Sequence, residues 1–256
     1  MFFQITPLVL TYNEAPNIRR TLEKLTWAKE IVVVDSFSTD ETEAICRKIP
    51  SVRFIQRKFD DHTSQWNYGV EQCQSDWVLA LDADYVLSNE LVHELQVFQP
   101  AGGADAYFAR FSYCVCGRPL RGTLYPPRAV LFRRDRCRYE PEGHTQLLRV
   151  AGKPAWLRGR IFHDDRKPLD RWLANQINYS TLEVRCRVQT PLAQLNFVNR
   201  IRRMIGLAPA LVFLYLLFGK GLILDGWPGW YYVLQRTLVE ILLSLRLVEE
   251  KLKGKS

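Results

Sequence analysis

The sequence has no Cys-x-x-Cys pair. Its six cysteines are scattered at 46, 73, 114, 116, 137 and 186. That spacing argues against a zinc site and, with no N-terminal signal segment, fits a reducing cytoplasm. No Gly-x-Gly-x-x-Gly follows the first apolar strand, and no Walker loop occurs. The dinucleotide and P-loop fingerprints are therefore unsupported. A long apolar run is also missing. Ile205 to Gly219 is fifteen residues without charge, and Lys220 then interrupts, short of the ~20 residues a spanning helix needs. Histidine is scarce, with four in 256 residues.

What is present is ample core material and an uneven charge. Apolar residues make up 47% of the chain, and the formal net charge is +8. Between Arg110 and Arg160 stand twelve Arg or Lys against Asp135, Glu140 and Glu142. A face of that composition attracts phosphates, anionic lipid or nucleic acid.

The chain is organised around Asp76 to Asp84. Trp77 to Leu81 carries no charge and suits a strand buried on both faces. Asp82 and Asp84 follow at once, on one side of an extended chain, with small Ala83 between them. Hard oxygens so spaced can hold Mg²⁺ or Mn²⁺ whose remaining ligands are waters and substrate phosphates. Upstream, Ile5 to Leu10 reads as a strand followed by Thr11-Tyr12-Asn13-Glu14. Ile31 to Val34 is a β-branched run closing on Asp35-Ser36. The first ~85 residues thus read β-α-β-α-β-α-β, the pattern of a parallel sheet with right-handed crossovers. Three strand ends carry polar groups, and in such sheets ligands bind outside the carboxyl ends of the strands. Ser38 to Glu41 reads as a capping box for a helix over about 40–48.

Leu10-Thr11-Tyr12-Asn13-Glu14, Val33-Val34-Asp35-Ser36 through Asp40, Trp66-Asn67-Tyr68-Gly69 and Leu81-Asp82-Ala83-Asp84 resemble successive motifs of the family 2 inverting glycosyltransferases of GT-A fold. The similarity covers roughly residues 4 to 170. The resemblance implies an α/β fold with a mixed, mostly parallel sheet and flanking helices. It implies that Thr11, Tyr12, Glu14 and Asp35, with Ser36 and Asn67 beside them, hold a nucleotide sugar. Asp82 would sit by the ribose or metal, Asp84 would bind the metal, and His163 would complete its shell. Arg166 and Lys167 would clamp the diphosphate. An inverting transfer needs a base to take the acceptor's proton; Glu142 is the first candidate, with His144 and Glu140 next. One departure from the family is Ser36-Phe37, where a second acid and Gly often stand.

The C-terminal segment reads as two interfacial or re-entrant helices joined by a turn at Asp225 to Trp230. Arg200, Arg202 and Arg203 precede the first, and Leu234, Leu238, Ile241, Leu245 and Val248 stripe the second. A basic cluster beside a short apolar helix points to contact with one leaflet. The Asp-Gly-x-x-Gly turn resembles that of lipopolysaccharide core β-glucosyltransferases. The expected organisation is a GT-A domain over 1–195 and a membrane-associated helical hairpin over 196–256. The partners expected are a UDP-linked nucleotide-sugar donor and a lipid-linked or envelope glycan, with peripheral membrane contact through 200–248, no nucleic acid, and a location at the inner face of the cell membrane. The rival readings are a sugar-phosphate nucleotidyltransferase and a non-catalytic basic binding protein. The oligomeric state is open.

Overall fold

The computed structural model describes residues 4–142, 145–189, 200–202 and 205–253, with the side chains of 142, 145 and 185–189 also outside the description. The chain divides into two compact units. One runs to Gly117 and resumes over Leu124–Arg166; the other comprises Arg118–Thr123 and the chain from Lys167 onward.

The first unit contains β1 (Ile5–Thr11), α1 (Ile18–Glu23), β2 (Ile31–Asp35), α2 (Thr42–Cys46), β3 (Val52–Gln56), α3 (His62–Gln72), β4 (Trp77–Asp82), β5 (Tyr85–Leu87), α4 (Asn89–Gln96) and β6 (Ala104–Val115). The two-residue β7 (Arg118–Pro119) belongs to the second unit. The first then resumes with β8 (Arg128–Arg133), β9 (Cys137–Glu142), β10 (Thr145–Val150) and β11 (Lys153–His163). Its main sheet has the order β3-β2-β1-β4-β8-β6-β11-β5. β1 pairs in parallel with β2 and β4, β2 with β3, and β6 with β11; β8 pairs antiparallel with β4 and β6, and β5 with β11. The chain therefore has the mixed, mostly parallel sheet with flanking helices read from its sequence.

The central strands are buried because both of their faces are covered. Ile31 to Val34 and Val78, Leu79 and Leu81 have no exposed surface, as a parallel sheet between helices requires. Ile18, Leu22 and Leu25 are likewise sealed, so the α1 stripe faces the core. On the other face, α3 comes so close to β1 that a Cβ on Gly69 would lie 2.7 Å from Leu8 Cδ1. Strand register aligns the polar ends. Thr11 is level with Asp35, and Leu10 with Asp82, so three polar strand ends share one edge of the sheet.

One local expectation changes. Ser38 does not cap a helix. Its hydroxyl donates to Asp35 Oδ1 at 2.5 Å and accepts from Asn13 N at 2.7 Å, and α2 starts later, at Thr42. The hydroxyl is drawn away because a buried carboxylate is a stronger partner than a solvated helix end. Cys137–Glu142 and Thr145–Val150, to which the sequence reading gave no element, pair antiparallel as β9 and β10.

The second unit holds α5 (Leu169–Gln189), α6 (Leu207–Leu214), a π-turn at Tyr215–Gly219, a 3₁₀ turn at Leu222–Asp225 and α7 (Trp227–Lys253). The bend before α7 is shorter than the sequence implied, since Trp227 to Trp230 lie in its first turn. A Cβ on Gly229 would stand 2.0 Å from the Leu222 carbonyl oxygen, so only glycine allows this approach. On α7 the polar Gln235, Glu240 and Ser244 are buried beside Val233, Leu243 and Leu247, and Glu240 takes Arg202 Nε at 2.9 Å. Of its apolar stripe, Leu234, Ile241 and Leu245 are 57%, 40% and 61% exposed, and Leu238 and Val248 are half-buried. No helix among the described residues is long and apolar enough to cross a membrane.

Candidate active site

The edge where β1, β2 and β4 end is built by two knots of polar groups. The first ties the loop after β1 to the loop after β2. Thr11 Oγ1 donates to Asp35 Oδ1 at 2.9 Å, both side chains buried. Ser38 N donates to the other oxygen of Asp35 at 2.8 Å. Asn13, in the left-handed region at φ 54°, accepts from Thr39 N at 2.6 Å. Glu14 N donates to Thr42 Oγ1 at 2.7 Å. Ser36 Oγ accepts from Gln65 Nε2 at 3.2 Å. Left on the surface are the ring of Tyr12, 54% exposed, and Phe37, 52% exposed at φ 59°.

The second knot lies at the end of β11. His163 Nε2 is 3.2 Å from Asp84 Oδ2. The imidazole is boxed by Tyr85, Tyr113 and Tyr125, with ring centres 5.3, 5.0 and 4.7 Å away. Tyr85 and Tyr125 meet through their hydroxyls. Burial opposes protonation of His163, but the carboxylates of Asp84, Asp82 and Asp165 together favour it, and the pKa stands above its ordinary value. Burial likewise drives the Tyr85 phenol well above its usual range.

The donor set can be tested against a divalent ion. Asp84 supplies a carboxylate and His163 an imidazole, their nearest atoms 3.2 Å apart. His163 Nδ1 is buried with no hydrogen-bond partner among the described residues. No group of three or more His, Cys, Asp or Glu is assembled for a metal among the described residues. Two protein donors suit Mg²⁺ or Mn²⁺, which keep waters and take phosphate oxygens, and do not suit a closed zinc site. The residues fit the ion the sequence implied.

Asp82 closes β4 and acts electrostatically on His163, Tyr85 and Tyr125. Arg166 Nε is bound to Asp164 Oδ2 at 2.8 Å, and its side chain keeps 42% exposure. Asn67 lies elsewhere. Its amide accepts from Tyr139 N at 3.0 Å and donates to Tyr139 O at 2.9 Å, so it splints β9 to α3. The Glu142 side chain and His144 lie outside the described residues. Glu140 is paired with Arg149 at 2.9 Å.

Sequence reading passed over Tyr85, Tyr125 and Arg128. Arg128 lies over the Tyr125 ring at 5.0 Å, and Asp82 is among the anions whose field reaches it. The available signal was Pro126-Pro127, which stiffens the chain between Tyr125 and Arg128.

Comparison with known proteins agrees with this architecture. The model of "Glycosyl transferase family 2" matches residues 8–158. The lipopolysaccharide core biosynthesis glycosyltransferase LpsC of Rhizobium meliloti is 25% identical over 96% of this chain and 92% of its own. An uncharacterized glycosyltransferase of Rickettsia felis is 33% identical over 41% of this chain, and the match spans 38% of that relative's length. Among solved structures, residues 1–349 of S. aureus TarS, in complex with UDP-GlcNAc, superpose with TM-score 0.52 at 16% identity, over 93% of this chain and 82% of that one. This last likeness is one of fold. With the family model covering more than half its length, the chain belongs to glycosyl transferase family 2.

Proposed function

We propose that the chain is an inverting, divalent-metal-dependent glycosyltransferase that moves a sugar from a UDP-sugar to a hydroxyl of a lipid-linked or envelope glycan. The observation that carries this reading is that the Thr11–Asp35 and Asp84–His163 pairs both form beyond the aligned ends of β1, β2 and β4. The first pair would hold the nucleoside, with Tyr12, Glu14 and Ser36 around it. Asp82, Asp84 and His163 would hold Mg²⁺ or Mn²⁺, and the bound ion would neutralise charge on the diphosphate. The acceptor oxygen attacks the anomeric carbon on the face opposite the diphosphate. The carbon–oxygen bond to the diphosphate breaks, its electrons stay on the leaving oxygen, and the acceptor's proton passes to a base. Glu142 is assigned that role, with His144 as its alternative. Arg166 and Arg128 would offset charge on the leaving group.

A lipid-bearing acceptor is supported by the exposed Leu234, Ile241 and Leu245 of α7 and by Leu214, Tyr215, Phe218 and Leu224, these four at least half exposed. Basic residues beside exposed aromatic and aliphatic side chains favour an anionic leaflet. On this reading 1–195 is catalytic, 196–256 contacts the inner face of the cell membrane, and the name of LpsC points to envelope glycans. The UDP moiety draws support from the ligand of TarS.

A panel of nucleotide sugars, scored by thermal shift with and without Mn²⁺, tests the donor. A shift with one UDP-sugar that needs Mn²⁺ is expected; no shift with any donor overturns the reading. Release of pyrophosphate from a nucleoside triphosphate and a sugar phosphate would favour the nucleotidyltransferase instead. Sedimentation with phosphatidylcholine vesicles, with and without phosphatidylglycerol, tests the membrane contact. Failure to sediment with either removes it.

A further inference from the structure

Asn17 occupies the N-cap of α1, yet its side chain makes no cap hydrogen bond. An asparagine there ordinarily accepts from the first turn and stabilises the helix. In this chain the amide is used elsewhere. Asn17 is fully buried. Its Nδ2 donates to Glu14 Oε2 at 2.9 Å and to Asp165 Oδ1 at 3.2 Å. Its Oδ1 accepts from Arg20 Nη2 at 2.7 Å and from Arg166 N at 3.0 Å. A primary amide has two N–H groups and an oxygen with two lone pairs, so its capacity is filled.

The four partners come from two stretches of chain. Glu14 and Arg20 flank Asn17 itself. Asp165 and Arg166 lie 148 and 149 residues further on, directly after His163 and Asp164. Asp164 ties this stretch down. Its carboxylate accepts from Arg20 Nη1 at 2.6 Å, Arg166 Nε at 2.8 Å and Gly117 N at 3.0 Å, and its backbone N donates to the Asp84 carbonyl at 3.2 Å. The Asn17 amide is thus a joint between the loop after β1 and the segment that presents His163 to Asp84.

We propose that Asn17 is a positioning residue that couples the nucleotide-binding loop at Glu14 to the metal- and diphosphate-binding groups His163, Asp84 and Arg166. The proposal rests on the functional reading above. Through this joint, ordering of the Glu14 loop by a nucleoside holds the His163–Arg166 segment in place. Capture of the ion and diphosphate then needs less ordering of its own, which is positive coupling.

The test is calorimetric titration of UDP into the full chain, with and without Mn²⁺, so it does not depend on turnover. In the wild type Mn²⁺ is expected to tighten UDP binding. In Asn17→Ala that enhancement should fall by roughly 10-fold, within the range of such couplings, while affinity without metal stays within about twofold. A merely structural role would weaken both titrations alike and lower Tm. That pattern overturns the proposal, as does a variant with the full wild-type enhancement. Should Asn17→Ala fail to fold, Asn17→Asp serves. It keeps the volume and both acceptor contacts, but turns a carboxylate toward Glu14 and Asp165, and it should lose the enhancement too. A wild type that binds no UDP even with Mn²⁺ overturns the functional reading itself, and the coupling with it.

Discussion

His163 Nε2 stands 3.2 Å from Asp84 Oδ2, across 79 residues of chain. β11 and the turn after β4 bring them together, because β5, which follows Asp84, pairs antiparallel with β11 and sets His163 level with Tyr85. Asp84→Ala removes the carboxylate and leaves this pairing intact. It is expected to lower sugar transfer by at least ~10²-fold, as losses of charge-stabilising groups do, with an unchanged circular dichroism spectrum. Turnover equal to wild type would remove Asp84 from the reaction.

Arg128 is planar and lies over Tyr125, an arrangement that lysine does not reproduce. Arg128→Ala should raise KM for the nucleotide sugar by about 10-fold, the worth of one charge-assisted contact. Arg128→Lys should recover only part of that loss. Steady-state kinetics on the donor checks both, and full recovery by lysine would show that charge alone is used.

Burial pushes the thiols of Cys46, Cys73, Cys114 and Cys137 from 9.0 up to about 12. Each folded pKa lies above the unfolded one. Their contribution to stability is therefore complete below about 9 and is lost as pH rises through about 12. Denaturant melts should show stability falling steadily across that window. At mildly alkaline pH an alkylating reagent should label exposed Cys116 and spare these four until the chain unfolds.

Glu240 is buried in the second unit against Arg202. Glu240→Ala leaves the guanidinium without its partner and should cost about 2–3 kcal/mol. That is below the figure for a wholly buried pair, because Arg202 keeps 25% exposure. Thermal denaturation checks it, and a loss under about 0.5 kcal/mol, typical of surface substitutions, would show the pair to be incidental.

Much of the first unit was legible along the chain. Runs such as Ile31 to Val34 and Trp77 to Leu81 can be satisfied only by burial on both faces, and the acids that end them must then sit at a sheet edge. The order of these runs and the motifs at their ends were enough to fix the fold class. The role of Ser38 was not legible, because its two competing partners, a helix end just ahead and a carboxylate just behind, look alike in one dimension. The β9–β10 hairpin was hidden because Pro141 and Gly143 interrupt its pattern.

The amino-acid sequence alone determined which residues could form strands, which carboxylates would follow them, and that the last helix has an apolar stripe, since these depend on local periodicity. Tertiary structure alone decided that His163 meets Asp84, that Asn67 is taken up by Tyr139, that Tyr125 packs on His163 with Arg128 over its ring, and that α7 exposes Leu234, Ile241 and Leu245. Each of these depends on the pairing of segments far apart in the chain, and side-chain period within one segment carries no information about which distant segment it will meet.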